Sequence, residues 1–343
     1  MNATTFTRSI LSLVGLAVIG FSTVACQVID APVHELQVAA AVAGPAVEVA
    51  TQTIETEVED TIVRGRKVFD PQAGARHIVE TYTAPAATFA GLYGSEAHQI
   101  FKVFTPAGWT ASDRRDLVVF VHGGAWSFGS ADEVESVSMD LLAQGAVIVS
   151  IEYELEVPAF DQIGDVVAAV RWAQANADGL GADIDRTFLV GHSAGAHLSL
   201  LTAVAPNEVR GGDFLRPVIG VIGIAGPYGI NDANYDPEIV GLRVQEIVAH
   251  VNRCEAVECS AEILDSLAPS TYVDANDPAV YMIAGELDDL APASHAWQVE
   301  AAYAAAGIGD RVWVDEVEGA GHQPGFGANA ASIAEFMTIA GSI

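Results

Sequence analysis

From about residue 80 the chain alternates short apolar runs with longer amphipathic stretches, the pattern of strands separated by helices. The strand-like runs are Gln99–Thr105, Leu117–Val121, Ala146–Tyr153, Thr187–Val190, Val218–Ala225, Ala279–Ala284 and Arg311–Val317. Between them, Asp161–Ala177 repeats Ile163, Val166, Val167, Val170 and Ala173 at helical spacing. The middle runs are continuously apolar, as parallel strands buried on both faces are, whereas Gln99–Thr105 alternates and predicts an antiparallel edge. The whole predicts an α/β fold, a mostly parallel central sheet with helices on both faces. In such sheets ligands sit outside the carboxyl ends of the strands.

Upstream the pattern fails. Residues 26–79 are rich in Ala, Val, Thr and Glu without a period, and read as a spacer. Residues 1–25 read as an export signal: Arg8, an apolar stretch from Ile10 to Phe21, then small residues before Cys26. Thr23-Val24-Ala25-Cys26 is similar to a bacterial lipobox, with Thr23 where that motif prefers leucine. Either Cys26 is lipidated and attaches the chain to a membrane, or the signal is cleaved after Ala25. Both readings place the protein outside the cytoplasm, in the periplasm, on the outer membrane or secreted. The folded domain is then 80–343, with a cap-like insertion at 226–277 between two predicted strands.

Composition agrees with one large folded domain, at 51% hydrophobic and 17% charged residues. Acidic residues outnumber basic ones 45 to 15, a formal net charge of −30. Such a surface repels nucleic acid and anionic headgroups, so no nucleic-acid partner is expected. Cys254 and Cys259 stand close together; they form either a short disulfide loop or two buried thiols. With no histidine or third cysteine beside them, no metal is expected.

Chemistry enters after the run Thr187–Val190, where Gly191-His192-Ser193-Ala194-Gly195 leads into the helical stretch Ala196–Val204. Gly-x-Ser-x-Gly has meaning in this context, a strand turning sharply into a helix that holds the serine at the sheet edge. A serine hydroxyl is a weak nucleophile and needs a base within hydrogen-bond reach, itself oriented by a carboxylate. Of nine histidines, His322 follows the last predicted strand, on a glycine-rich loop that lets its ring swing back. His197, one helical turn beyond Ser193, reads as buried packing. The run Ala279–Ala284 ends in a turn carrying three candidate acids, Glu286, Asp288 and Asp289. Leu117–Val121 ends in His122-Gly123-Gly124-Ala125-Trp126, whose glycines let the main chain face a substrate. Backbone donors for an oxyanion are expected from Gly124, Ala125 and Ala194. Trp126 either walls a pocket or packs the loop, and His122 orders it.

His-Gly-Gly-x-Trp with Gly-His-Ser-Ala-Gly-Ala-His-Leu resembles the esterase/lipase branch of the α/β-hydrolase superfamily, over roughly residues 80–340. Carboxylesterases, feruloyl-esterase-like enzymes and kynurenine formamidases are members of that branch. The resemblance implies the α/β-hydrolase fold and selects Asp288, the fourth residue of a Gly-x-x-Asp-x-x-x-Pro turn shared by many such hydrolases. It implies hydrolysis of small or medium carboxylic esters through an acyl-enzyme on Ser193, without cofactor or metal. Formamide or amide cleavage by the same triad is the alternative within enzymes, and a non-catalytic binding protein the alternative outside them. Two departures stand out. Tyr153-Glu154-Leu155 replaces the usual Tyr-Arg-Leu, and Ala125 fills the place of a third oxyanion-loop glycine.

Overall fold

A computed structural model describes residues 49–53, 81–85, 87–134, 136–232, 234–239, 242–254, 259–324 and 329–343. The export signal, Cys26 and nearly all of the spacer lie outside the described residues. The strands and helices of the folded core lie in the unit Thr51–Ile343.

Its centre is an eight-stranded sheet. In chain order the strands are β1 Phe89–Leu92, β2 Ile100–Phe104, β3 Arg115–Val121, β4 Val147–Ile151, β5 Ala182–His192, β6 Gly220–Ile224, β7 Ala279–Gly285 and β8 Val312–Val317. Their order across the sheet is β8-β7-β6-β5-β3-β4-β2-β1. From β4 to β8 every pairing is parallel, and β2 runs antiparallel to both β4 and β1. The run at 99–105 is thus antiparallel as expected, but it is not the edge. β1 lies outside it, a strand the sequence pattern concealed because three of its four residues are exposed.

The continuous apolar runs follow from burial on both faces. In β3, Leu117, Val119 and Val121 join one core cluster and Val118 and Phe120 the other, as the two-residue period of a strand requires. The first face is covered by helices α2 (Ala159–Ala175), α3 (Ala194–Val204) and α6 (Ala293–Ala305), the second by α1 (Ser136–Ala143) and α7 (Ala330–Ala340).

Between β6 and β7 the chain leaves the sheet for residues 226–277. This insertion carries the antiparallel pair Glu238–Ile239 with Leu242–Arg243, then helices α4 (Val244–Val251) and α5 (Ala261–Leu267). Val244, Ile247, Val248, Val251 and Leu267 bury themselves in the first cluster. Cys254 and Cys259 form a disulfide, which decides between the two readings of that pair. Asn252 at the end of α4 accepts from the Ala159 N–H at 3.1 Å, tying the insertion to the start of α2.

Candidate active site

The carboxyl ends of β3, β5, β7 and β8 converge on Ser193. Its backbone has φ 52° and ψ −124°, a left-handed conformation that an L-residue holds only under constraint. The constraint is visible. The Ser193 N–H donates to the Ile224 carbonyl of β6 at 2.8 Å, and Gly191 and Gly195 let the neighbouring chain come close. A Cβ on Gly191 would stand 2.4 Å from the Gly195 carbonyl, and one on Gly195 would stand 2.1 Å from the Val121 oxygen. No side chain fits at either place, so the elbow needs glycine on both sides.

His322, on the loop after β8, reaches back so that its Nε2 lies 2.8 Å from Ser193 Oγ. Its Nδ1 lies 2.9 Å from Asp288 Oδ2 and 3.1 Å from Oδ1. Asp288 is buried on the turn after β7, and its Oδ1 also accepts from the N–H groups of Leu290 and Ala291, each at 2.9 Å. Burial alone would raise the Asp288 carboxyl. The His322 charge and hydrogen bond, with the two backbone donors, overcome that and hold it below the usual carboxylate range. The carboxylate therefore stays ionised and orients the ring, with Nδ1 turned towards itself and Nε2 towards the serine.

The other two carboxylates of that turn are placed differently. Asp289 keeps much of its side chain in solvent, and the desolvation it does meet, together with the Asp288 charge beside it, raises its carboxyl. Glu286 accepts from the Gly319 N–H at 2.8 Å and so braces the loop that carries His322.

The loop after β3 has an unusual run of positive φ, 110° at Gly124, 49° at Ala125 and 60° at Trp126. Among the described residues, no hydrogen-bond acceptor faces the N–H groups of Gly124, Ala125 or Ala194. Ala194 starts α3, where backbone donors have no intrahelical partner. His122 is buried under the loop, with Nδ1 2.7 Å from the Gly123 carbonyl and its ring stacked on Tyr153 at 4.4 Å. It orders the loop, as the sequence suggested. Trp126 fills both of its suggested roles: it lines the cavity at Ser193 and donates its indole N–H to His197 Nδ1 at 3.2 Å.

Glu154, where an arginine was expected, contributes its backbone instead. Its N–H donates to Asp165 Oδ2 at 2.9 Å and its carbonyl accepts from Gln162 Nε2 at 2.9 Å. His98 and Gln99 supply the remaining partners of Asp165, at 3.1 and 2.8 Å, so the loop after β4 is held without the arginine.

The cavity against Ser193 is small, about 10 Å³, and is lined by Ala125, Trp126, Ala194, Pro227, Tyr235, Val244, Leu290 and His322. Three of these walls, Pro227, Tyr235 and Val244, come from the insertion, and no sequence motif marked Tyr235, Val244 or Leu290. Tyr235 donates its hydroxyl to the Leu290 carbonyl, joining the insertion to the acid turn. Among the described residues no three His, Cys, Asp or Glu side chains converge as metal ligands would.

Residues 102–303 match the BD-FAE family model. Esterase LipC of Mycobacterium tuberculosis is 32% identical over 220 residues, which are 60% of this chain and 52% of LipC. Carboxylesterase NlhH of the same species is 37% identical over 102 residues, 29% of this chain and 32% of NlhH. The chain thus spans about half or less of the length of these curated relatives. Among solved structures, a truncated carbohydrate esterase from gut microbiota aligns over 75% of this chain and 98% of its own, with a TM-score of 0.63 and 20% identity. An esterase of Thermogutta terrifontis, Est2, aligns over 74% and 92%, with a TM-score of 0.58 and 20% identity. At these identities the two structures speak for the α/β-hydrolase fold.

Proposed function

The chain belongs to the BD-FAE family, and from that premise we propose that it is a serine hydrolase of carboxylic esters acting through an acyl-enzyme. One observation carries the reading, the unbroken hydrogen-bonded path from Asp288 through His322 to Ser193 Oγ. The names of the curated relatives, an esterase and a carboxylesterase, support it.

Ser193 Oγ attacks the ester carbonyl carbon while His322 Nε2 takes the hydroxyl proton, and Asp288 stabilises the imidazolium that forms. Charge developing on the carbonyl oxygen is met by the N–H groups of Gly124, Ala125 and Ala194, for which no other acceptor stands among the described residues. The imidazolium returns its proton to the leaving alkoxide, and the acyl group stays on Ser193. Water then attacks the acyl carbon with His322 again as base, releasing the acid and restoring the serine. The cavity walls are uncharged apart from the reacting histidine, which suits a small neutral acyl group, and residues 226–277 act as a cap over it.

Ser193→Ala tests the reading. Hydrolysis of p-nitrophenyl acetate should fall by about 10⁶-fold with the circular dichroism spectrum unchanged. Turnover near wild type in that variant would refute it.

The same proposal includes export, carried by Arg8, the apolar stretch Ile10–Phe21 and Cys26. In a Gram-negative host the full chain should leave the cytoplasm. If Cys26 is lipidated, the protein partitions into membranes and Cys26→Ser releases it; a wild type already free in the periplasm would leave cleavage after Ala25.

A further inference from the structure

His197 lies on α3 one turn beyond Ser193 and is completely buried. Its backbone N–H donates to the Ser193 carbonyl at 3.1 Å, so it moves with the helix that begins at the elbow. Its ring touches two elements far apart in sequence. Nε2 lies 2.8 Å from the carbonyl oxygen of Leu267, the last residue of α5 in the insertion. Nδ1 lies 3.2 Å from the indole nitrogen of Trp126, whose ring meets the imidazole edge to face at 5.5 Å.

These partners settle where the proton is. A carbonyl only accepts and an indole N–H only donates. The imidazole must therefore carry hydrogen on Nε2 and a lone pair on Nδ1, which requires the neutral ring. Burial works in the same direction and pushes its pKa down to about 4. A protonated ring would turn an N–H towards the indole N–H and break that contact.

Trp126 is also the end of the positive-φ run that begins at Gly124. Its carbonyl accepts from Gln162 Nε2 at 2.8 Å and from the Glu156 N–H at 3.1 Å. The backbone side of Trp126 is thus held from α2 and the loop after β4, and its side chain from His197. With both held, the preceding peptide groups have little freedom to rotate.

We infer that His197 is a positioning residue, a neutral strut that locks Trp126 and the donor groups of Gly124 and Ala125 to the nucleophile's helix and to the end of the insertion. The inference rests on the proposed ester hydrolysis, since it assigns those donors to the oxyanion. It predicts a loss in the chemical step rather than in substrate binding, because His197 does not line the cavity.

The test is a cycle of His197→Phe, Trp126→Phe and the double variant, with His197→Gln as rescue. All are assayed for kcat and KM on p-nitrophenyl acetate beside Ser193→Ala. His197→Phe should lower kcat about 10²-fold, the scale of losing or misplacing an oxyanion donor, with KM within about twofold. Trp126→Phe keeps an aromatic wall but has no indole N–H, and should lose a similar factor. The double variant should lose no more than either alone, because both break one link. Glutamine can donate to Leu267 and accept from the indole, so His197→Gln should recover most of kcat. Wild-type kcat in a folded His197→Phe protein, or independent losses multiplying in the double variant, would overturn the inference. If His197→Phe does not fold, Trp126→Phe and His197→Gln decide it: full kcat in the first, or a loss of about 10² in the second, would overturn it. Activity in the wild type that survives Ser193→Ala would instead overturn the proposed mechanism itself.

Discussion

His192, the residue before Ser193, lies with its Nε2 3.1 Å from the backbone carbonyl of His322. Strand β5 thus presents the serine and also grips the loop that carries His322. His192 does not line the cavity, so its removal should loosen the Ser193–His322 geometry without touching substrate. His192→Ala is expected to lower kcat by about 10 to 10²-fold with KM little changed, on the scale of small misplacements of reacting groups. His192→Gln, which keeps a donor, should retain most of it. Steady-state kinetics on both variants checks this, and an unaffected kcat in His192→Ala would refute it.

The acid turn offers a sharper contrast between adjacent residues. Asp288 hydrogen-bonds His322 from a buried position, while Asp289 is exposed and touches His322 only through a charge interaction. Asp288→Asn should leave His322 in the wrong tautomer and lower kcat by about 10⁴-fold. Asp289→Asn should stay within about threefold of wild type, since an exposed charge is screened. Assays at neutral pH, with melting curves to confirm folding, decide it; the reverse ranking would reassign the acid.

How much of this was legible in the sequence depends on how local each constraint is. Gly191 must be glycine because a Cβ there meets the elbow's own backbone at Gly195, and Gly195 because a Cβ there meets the end of β3 at Val121. Ser193 could therefore be read from five residues and a strand before them. The β3, β4, β6 and β7 strands and the second half of β5 were legible because burial on both faces demands unbroken apolar runs. β1 was not, since Phe89 and Leu92 are exposed and leave no alternation. His322 and Asp288 followed from chain order and a shared turn. The imidazoles of His192 and His197 are different: their partners, His322 and Leu267, lie on other elements, and nothing in the elbow's spelling reveals them. Val244 and Tyr235 line the cavity only because the insertion folds back over the sheet, a tertiary fact with no local signature.

Those two walls carry a prediction about chain length. With a cavity volume of about 10 Å³ at Ser193, there is room for a group the size of one water or a methyl. Acetyl esters should be cleaved faster than hexanoyl esters by at least about 10²-fold in kcat/KM, since each excess methylene must displace well-packed walls. Val244→Ala should narrow that gap by about tenfold or more by improving the longer ester. A p-nitrophenyl ester series measures both, and a flat series in the wild type would contradict the geometry.

The last prediction concerns acid stability, where buried groups pull in opposite directions. His197 and His295 are both buried, and burial lowers each pKa to about 4. The unfolded chain protonates them near 6.5, so unfolding takes up protons between those values and stability falls as pH drops through the window. Each contributes a slope of about 1.4 kcal/mol per pH unit there. Asp277 does the reverse: burial raises its carboxyl to about 7. The folded state then holds a proton that the unfolded chain releases above about 4, so stability from this group rises as pH falls from about 7 to 4. One carboxylate offsets about one of the two histidines, leaving a net slope near a single proton from these three groups. Asp277→Asn removes the offset without changing shape, and its amide oxygen can still accept from the Asp274 N–H that the carboxylate binds at 2.7 Å. The variant should be more stable than wild type at pH 8, by up to a few kcal/mol, and the advantage should shrink steadily and vanish near pH 4. Urea unfolding of both proteins at half-unit steps from pH 4.5 to 8 measures the difference directly. A constant difference across that range would show that Asp277 does not titrate inside it.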